Sequence, residues 1–168
     1  MSLKSKTALS VRRLVPTDQA FLWEALHTAL WDPPPAALRP RTVLDHPEVR
    51  IYAENWGREG DLGFIGEVGK GSTPAGAVWT RRLKGGQGLA YLDDKTPQLG
   101  IAILPAFRRC GYGGLLLGTL LDTLTAQGTL QVALTVHPQN PAIALYERFG
   151  FWTLSLRGSY FLMVKVLD

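Results

Sequence analysis

One segment constrains the fold more than any other, a glycine-rich turn between an apolar stretch and a leucine-rich one. Residues 98–104 have the composition of a strand, and residues 112–127 carry leucines at helical spacing before Gly128. Gly111, Gly113 and Gly114 lie where the second stretch begins. A strand, a glycine turn and a long helix in this order predict a mixed α/β chain.

The same turn has the properties of an anion site. The start of a helix exposes backbone N–H groups that have no partner inside the helix, and its dipole favours negative charge. Glycines let an anion approach that backbone, and Arg108 and Arg109 add positive charge. The pattern predicts a pyrophosphate seat, and the alternative is a glycine-rich turn without a ligand.

Two other phosphate motifs do not fit this turn. A dinucleotide fingerprint that begins at Gly111 needs a third glycine where Leu116 stands. A P-loop that begins at Gly113 needs a lysine where Thr119 stands. Neither nucleotide-binding fold is expected.

The rest of the chain gives an element order of β, α, α, β, β, β, α, β, α, β, β, which predicts one mixed sheet with helices on both faces. Strands are predicted over 10–15, 63–68, 76–83, 98–104, 129–136, 151–154 and 160–166. A first helix is predicted, with its apolar positions over 21–30, and a short one within 42–55. Two further helices are predicted over 112–127 and 141–149. We expect a single domain over 1–168, with residues 1–7 as a loose lead-in.

Composition narrows the class of partner and the compartment. The formal charge of +4 favours anionic partners, but the basic residues occur as short scattered pairs, so nucleic acid is not expected. Cys110 is the only cysteine and the three histidines are far apart, so neither a disulfide nor a metal site is expected. There is no apolar run of about 20 residues and no signal region, so we expect a cytoplasmic protein without membrane contact.

A second motif follows the leucine-rich helix, and it runs from Asn140 through Leu145 and Tyr146 to Gly150 and Phe151. Together with Arg-x-x-Gly-x-Gly at positions 108–113, it resembles the signatures of the GNAT superfamily of acyl-CoA-dependent N-acyltransferases. The element order extends the resemblance over about the whole chain, although the specific residues lie within 99–151.

The resemblance implies an acyl-CoA N-acyltransferase fold with acetyl-CoA as cosubstrate. The cosubstrate would lie in a V-shaped opening between the two central parallel strands. It implies a set of cofactor-binding residues: Ile101, Ala102 and Ile103 for the pantetheine arm, the amides of Arg109, Cys110, Gly111, Tyr112, Gly113 and Gly114 with the Arg108 side chain for the pyrophosphate, and Asn140. Tyr146 would be the general acid at the sulfur, and a backbone N–H near Ile103 would hold the thioester oxygen. Asn140 could instead cap a helix, Tyr146 could be a core aromatic, and Cys110 could be incidental.

The general base is the weakest part of the pattern. Two positions at which relatives carry glutamate are Gln98 and Thr135 here, and neither side chain accepts a proton at neutral pH. Glu67 is the best remaining carboxylate for catalysis, although it could be merely solvated. Asp93, Asp94 and His137 stand behind it as candidates that would act through water.

The acceptor pocket would come from the N-terminal half. Its aromatic candidates, most of which could simply be core, are Trp23, Trp31, Tyr52, Trp56, Trp79 and Tyr91. Arg81, Arg82 and Lys84 form a charge run of the kind usually found on a solvated face, and they would suit an acidic acceptor.

The function expected from this pattern is acetyl transfer to a primary amine of a small molecule or metabolite, by direct attack in a ternary complex. One alternative is an acetyltransferase for protein or peptide N-termini, which Thr135 disfavours. Another is an inactive acyl-CoA-binding regulatory module, which Gln98 in place of a base would suit. A homodimer is compatible with the resemblance, but no sequence feature requires it.

Overall fold

A computed structural model describes residues 7–168, so the lead-in predicted for 1–7 lies outside the described residues except for Thr7. The strands are β1 (Leu9–Arg13), β2 (Leu62–Val68), β3 (Thr73–Arg81), β4 (Gln98–Ile103), β5 (Gln131–Val136), β6 (Trp152–Arg157) and β7 (Tyr160–Val166). The helices are α1 (Gln19–Ala29), α2 (Pro47–Arg50), α3 (Tyr112–Ala126) and α4 (Ile143–Arg148). Over residues 7–168, no helix has the length and apolar character needed to cross a membrane.

The predicted element order is confirmed, with differences at the boundaries. β3 begins three residues earlier than predicted, at Thr73, because its pairing with β2 continues past a register shift to Val68. β6 runs on to Arg157 because it pairs with β7 as far as the turn that joins them. The helix predicted within 42–55 is interrupted: a 3-10 turn precedes α2, which starts at Pro47, a residue without a backbone donor.

The seven strands form one sheet in the order β1-β2-β3-β4-β5-β7-β6. Every neighbouring pair is antiparallel except β4 and β5, which are parallel and register only at Gln98 opposite Ala133. Beyond that position the two strands diverge, and the V-shaped opening that the resemblance implied lies between them.

Separate apolar cores cover the two faces of the sheet. On one face, Leu116, Leu117 and Leu120 of α3 are fully buried. Burial of each of these side chains stabilises the folded state by about 1.5–3 kcal/mol. On the other face, α1 packs through Leu22 against a cluster that includes Trp79. The helices hold the sheet from both sides, which fixes the diverging strands in place.

Candidate active site

A cleft of about 890 Å³ occupies the gap between β4 and β5. It passes through the sheet, because α1 residues such as Ala29 line it from one face and α4 residues such as Leu145 line it from the other. Two substrates could therefore enter it from opposite faces.

The edge of β4 supplies main-chain groups to this cleft. Leu104 donates its N–H to the carbonyl of Ala75 in β3 at 2.8 Å. Because hydrogen-bonding direction alternates along a strand, the main chain of Ala102 also faces β3, whereas Ile101 and Ile103 face the cleft. The Ile103 carbonyl accepts from Arg108 Nε at 3.1 Å. Of the three residues implied for the pantetheine arm, Ile101 and Ile103 thus present backbone groups, and Ala102 only lines the wall.

The start of α3 is open to an anion. Arg109 and Gly111 have φ values of +61° and +81°, and this left-handed conformation favours glycine at position 111. No side chain within residues 7–168 caps the helix, and its first turn contains no acidic residue. A Cβ at Gly111 would meet nothing within 4 Å, so the loop backbone is accessible. These residues fit the diphosphate of a coenzyme A molecule.

Two residues of the implied pyrophosphate loop turn their side chains elsewhere. Cys110 is not among the residues that line the cleft, and its thiol donates locally to the Arg108 carbonyl at 3.5 Å. The Tyr112 ring is buried, and its hydroxyl donates to the Thr7 carbonyl at 2.5 Å. Only their backbone amides are placed to serve an anion.

Asn140 lines the cleft and also caps a turn. Its Oδ1 accepts from the Ala142 N–H at 2.9 Å, which is the structural role considered from the sequence. Its Nδ2 has no hydrogen-bond partner in the described part of the chain, which leaves a donor for a ligand.

Tyr146 on α4 lines the cleft while only 7% exposed. Its ring packs against Phe151 with the centroids 5.9 Å apart. Burial raises the pKa of the Tyr146 hydroxyl above its ordinary value, so the phenol keeps its proton at neutral pH and can donate it or share it in a hydrogen bond.

The structure does not support Glu67 as the general base. Glu67 lies on β2, which β3 separates from β4, and it is absent from the cleft lining. Its carboxylate accepts from Arg12 Nε at 2.7 Å. Asp93 and Asp94 are also outside the lining, because they accept hydrogen bonds within their own loop, from Thr96 and from Tyr91 and Gly85.

Among the reserve candidates, only His137 lines the cleft. Its Nδ1 accepts from the Gln139 N–H at 3.0 Å, which places the proton of the neutral ring on Nε2. Its ring makes edge contacts with Trp31 and Tyr160. Glu48 on α2 is the one carboxylate among the described cleft-lining residues, and sequence reasoning missed it because its short helix carries no motif.

On the side of the cleft where the resemblance expects the amine acceptor, a set of contacts around Arg39 forms a wall that the sequence did not predict. Arg39 donates to both carboxylate oxygens of Asp32 at 2.7 Å and to the Tyr160 hydroxyl at 3.2 Å. The Arg39 guanidinium lowers the pKa of Asp32 through these hydrogen bonds. This link fastens the segment after α1 to the start of β7 beside the cleft.

Half of the aromatic candidates belong to the cleft, namely Trp31, Tyr52 and Trp79. Trp56 is a core residue whose Nε1 donates to the Leu14 carbonyl, and Trp23 packs under Arg50. Tyr91 is bonded to Asp94 outside the cleft.

Arg81 does not lie on a solvated face, contrary to the expectation from the charge run. It is 2% exposed, and two of its nitrogens bind Asp61 at 2.8 and 2.9 Å. Its Nη1 donates to the carbonyls of Ile51 and Glu54. Arg82 and Lys84 are exposed, as predicted.

Gln98 and Thr135, the two positions at which the resemblance implies glutamate, differ in their surroundings. Thr135 lines the cleft, whereas Gln98 does not and is only 1% exposed. The Gln98 amide is bonded at both ends, as acceptor from the Tyr52 hydroxyl at 3.0 Å and as donor to the Gln87 carbonyl at 2.9 Å.

Comparisons with known proteins agree with this geometry. Ribosomal protein bS18-alanine N-acetyltransferases from Haemophilus influenzae and Salmonella typhimurium are 40% and 39% identical over 68 and 69 residues, which is 40% of this chain and 47% of each relative. The chain thus spans about half the length of the curated relatives it matches.

Solved structures show the same fold over nearly the whole chain. The ribosomal-protein-S18-alanine N-acetyltransferase of Escherichia coli has a TM-score of 0.67 at 23% identity, with 96% of this chain and 95% of that chain covered. The PaiA N-acetyltransferase of Thermoplasma acidophilum, in complex with coenzyme A, has a TM-score of 0.63 at 18% identity, with 95% and 99% covered.

The sequence pattern of the acetyltransferase (GNAT) family matches residues 23–151, a span that includes β4, the start of α3 and Tyr146. Because this match covers well over half of the chain, the protein belongs to the GNAT family of acetyltransferases, which uses acetyl-CoA as its acyl donor.

Proposed function

We propose that this protein transfers the acetyl group of acetyl-CoA to a primary amine by direct attack in a ternary complex. One observation carries the proposal: a single cleft brings together the uncapped first turn of α3, the unpaired edge of β4 and the Tyr146 hydroxyl. Anion seat, main-chain donors and proton donor are the parts that acyl transfer from a thioester needs.

The first turn of α3, the edge of β4 and Asn140 would hold the acyl donor, acetyl-CoA. The amides of residues 109–114 and the Arg108 side chain would hold the diphosphate. Ile101, Ile103 and the Asn140 Nδ2 would bind the pantetheine arm. The Ile103 N–H would donate to the thioester oxygen, where negative charge develops.

The chemistry requires two proton movements. The neutral amine nitrogen forms a bond to the acetyl carbon and loses one N–H proton, the carbon–sulfur bond breaks, and the leaving thiolate takes a proton from Tyr146, which the proton lost by the nitrogen replaces through solvent. The amine must also lose a proton, and an alkylammonium with a pKa near 10.4 costs about 4 kcal/mol to neutralise at pH 7.4. Glu48, exposed at the cleft, can receive that proton through water.

We favour a small-molecule or metabolite amine as the acceptor. The acceptor side is walled by Trp31, by the Arg39–Tyr160 link and by a loop that includes Leu89. Such walls suit a compact amine that enters alone more than a long extended chain.

The second candidate acceptor is the N-terminal amine of a protein. The relatives that match at about 40% identity are alanine N-acetyltransferases for a ribosomal protein, which favours this class. Thr135 argues against it, because the family resemblance implies a glutamate at this position in acetyltransferases that act on ribosomal proteins.

Thiol release from acetyl-CoA tests the proposal on a panel of free amino acids, aliphatic diamines and peptides that begin with alanine. We expect turnover with at least one amine, and mass spectrometry of the product separates small molecules from peptides. Calorimetry with acetyl-CoA runs in parallel. Binding without turnover of any amine would favour the inactive acyl-CoA-binding module, and absence of binding would overturn the proposal.

A further inference from the structure

A buried amide lies behind the acceptor wall, at the position where the two central strands begin to diverge. Gln98 is the residue of β4 that registers with β5, and its side chain is buried behind residues that line the cleft without being part of the lining itself. At 1% exposure it cannot contact an amine in the cleft. Its role must therefore be exerted through its neighbours.

Those neighbours form a chain of three hydrogen bonds. The Tyr52 hydroxyl donates to Gln98 Oε1 at 3.0 Å and accepts from the Leu89 N–H at 2.7 Å. Gln98 Nε2 donates to the Gln87 carbonyl at 2.9 Å. The amide thus binds the loop over residues 86–90 directly at one point and through Tyr52 at another. We call this arrangement the clasp.

The loop is shaped to lie on this amide. Gly88 has a φ of +86°, and a Cβ there would lie 2.3 Å from Gln98 Oε1. Gly88, Leu89 and Ala90 also line the cleft. A fixed amide therefore fixes part of the cleft wall.

We propose that Gln98 is a positioning residue which, through Tyr52 and Gln87, holds the loop over 86–90 as the wall of the acceptor pocket. The inference deepens the proposed function and rests on it for its kinetic consequences. It also explains the departure from glutamate: the amide accepts from the Tyr52 hydroxyl and at the same time donates to a carbonyl, whereas a carboxylate would have to take up a proton to donate.

Three variants separate this role from an acid–base role. Gln98→Leu removes both arms of the clasp, Tyr52→Phe removes one, and Gln98→Glu introduces the carboxylate that relatives carry. Tyr91→Phe is the control, because it removes a hydrogen bond to Asp94 in the segment directly after the loop, outside the clasp and the cleft. Each protein is checked by circular dichroism, so Tyr52→Phe serves if Gln98→Leu does not fold.

The first readout needs no substrate. Hydrogen exchange at the Leu89 amide should become roughly tenfold faster in Tyr52→Phe, which removes the acceptor of that N–H, and also faster in Gln98→Leu, which leaves the Tyr52 hydroxyl without its own acceptor. It should be unchanged in Tyr91→Phe. Unchanged exchange at Leu89 in both clasp variants would overturn the inference even if no amine is ever turned over.

The second readout uses the amine that turns over fastest in the panel. We expect KM for that amine to rise roughly tenfold in the clasp variants while KM for acetyl-CoA stays within about twofold, since the loop is part of the acceptor wall. Gln98→Glu should give no gain in kcat/KM, and its pH profile should keep the shape of the wild type. A gain in kcat/KM with a new acidic limb would show that position 98 is the acid–base site and would refute the clasp.

Discussion

At the scale of single residues, Tyr146 is the proposed proton donor for the chemical step. Tyr146→Phe keeps the ring against Phe151 but removes the proton donor, so we expect kcat to fall by about 10²-fold. Affinity for acetyl-CoA should hardly change, because the hydroxyl is needed only when the thiolate leaves. Steady-state kinetics and calorimetry measure the two effects, and an unchanged kcat would exclude Tyr146 as the acid.

The raised pKa of Tyr146 has a consequence for the pH dependence. The donor form is the protonated phenol, which persists below its folded-state pKa, and burial moves that pKa above the ordinary value of about 10. We therefore expect no loss of kcat from this group between pH 7 and pH 10. A limb near pH 10 that disappears in Tyr146→Phe but stays in Tyr91→Phe would contradict the assignment.

The residues of the site differ in how far the sequence could predict them. Tyr146 and Asn140 belong to a contiguous motif, and both line the cleft. Glu67 lies outside the cleft lining and pairs with Arg12, which is 55 residues away, and a charge pair at that distance leaves no local pattern in the sequence. Glu48 lies on a four-residue helix without periodicity, so only the fold brings it to the cleft.

At the scale of elements, a substitution in the first turn of α3 should affect acetyl-CoA affinity and the free energy of unfolding differently. Gly113→Ala should weaken acetyl-CoA binding by about tenfold or more, because the added Cβ would lie 3.4 Å from Leu145 and 3.8 Å from Ile103 and would narrow the cleft at the phosphate seat. The same change should leave the free energy of unfolding equal or raise it by up to about 1 kcal/mol, since alanine is the better helix former. Calorimetry and thermal denaturation measure the two effects.

Gly118→Ala on the same helix is the matched control. Its Cβ would lie 3.5 Å from Phe149, in ordinary contact and outside the cleft. It should bring a similar gain in helix propensity with no change in acetyl-CoA affinity. Equal affinities for the two variants would mean that the seat is not at this turn.

The elements themselves follow closely from local chemistry. The leucine stripe and Gly128 give α3 its bounds within one residue, because amphipathic period and a left-handed glycine act over short range. The start of β3 and the end of β6 depend on the strands beside them, and sequence patterns alone do not specify where that pairing stops.

At the scale of the whole molecule, a buried ion pair joins β3 to the segment that follows α2. Arg81→Met would leave Asp61, itself buried, without its cationic partner, and the Ile51 and Glu54 carbonyls without a donor. We expect the free energy of unfolding to fall by about 3–5 kcal/mol, measured by urea denaturation.

Arg12→Met is the control for that measurement. Arg12 also binds two carboxylates, those of Asp18 and Glu67, but its side chain is 43% exposed. The loss there should be at most about 1 kcal/mol, because water replaces the lost partners. Equal losses for the two variants would mean that burial does not decide the strength of the Arg81 pair.

Because β4 and β5 diverge, we expect bound acetyl-CoA to stabilise the fold. Main-chain groups at Ile101 and Ile103 lack a strand partner on the cleft side, so a ligand that binds them and the α3 amides adds contacts that only the folded state offers. Acetyl-CoA at 100 times its Kd should therefore raise the free energy of unfolding by about 2.7 kcal/mol and slow amide exchange at Ile103. Thermal denaturation with and without acetyl-CoA checks the first effect. In Gly113→Ala the same acetyl-CoA concentration should stabilise the protein less, whereas in Gly118→Ala it should stabilise the protein as in the wild type; equal stabilisation of both variants would place the donor away from this cleft.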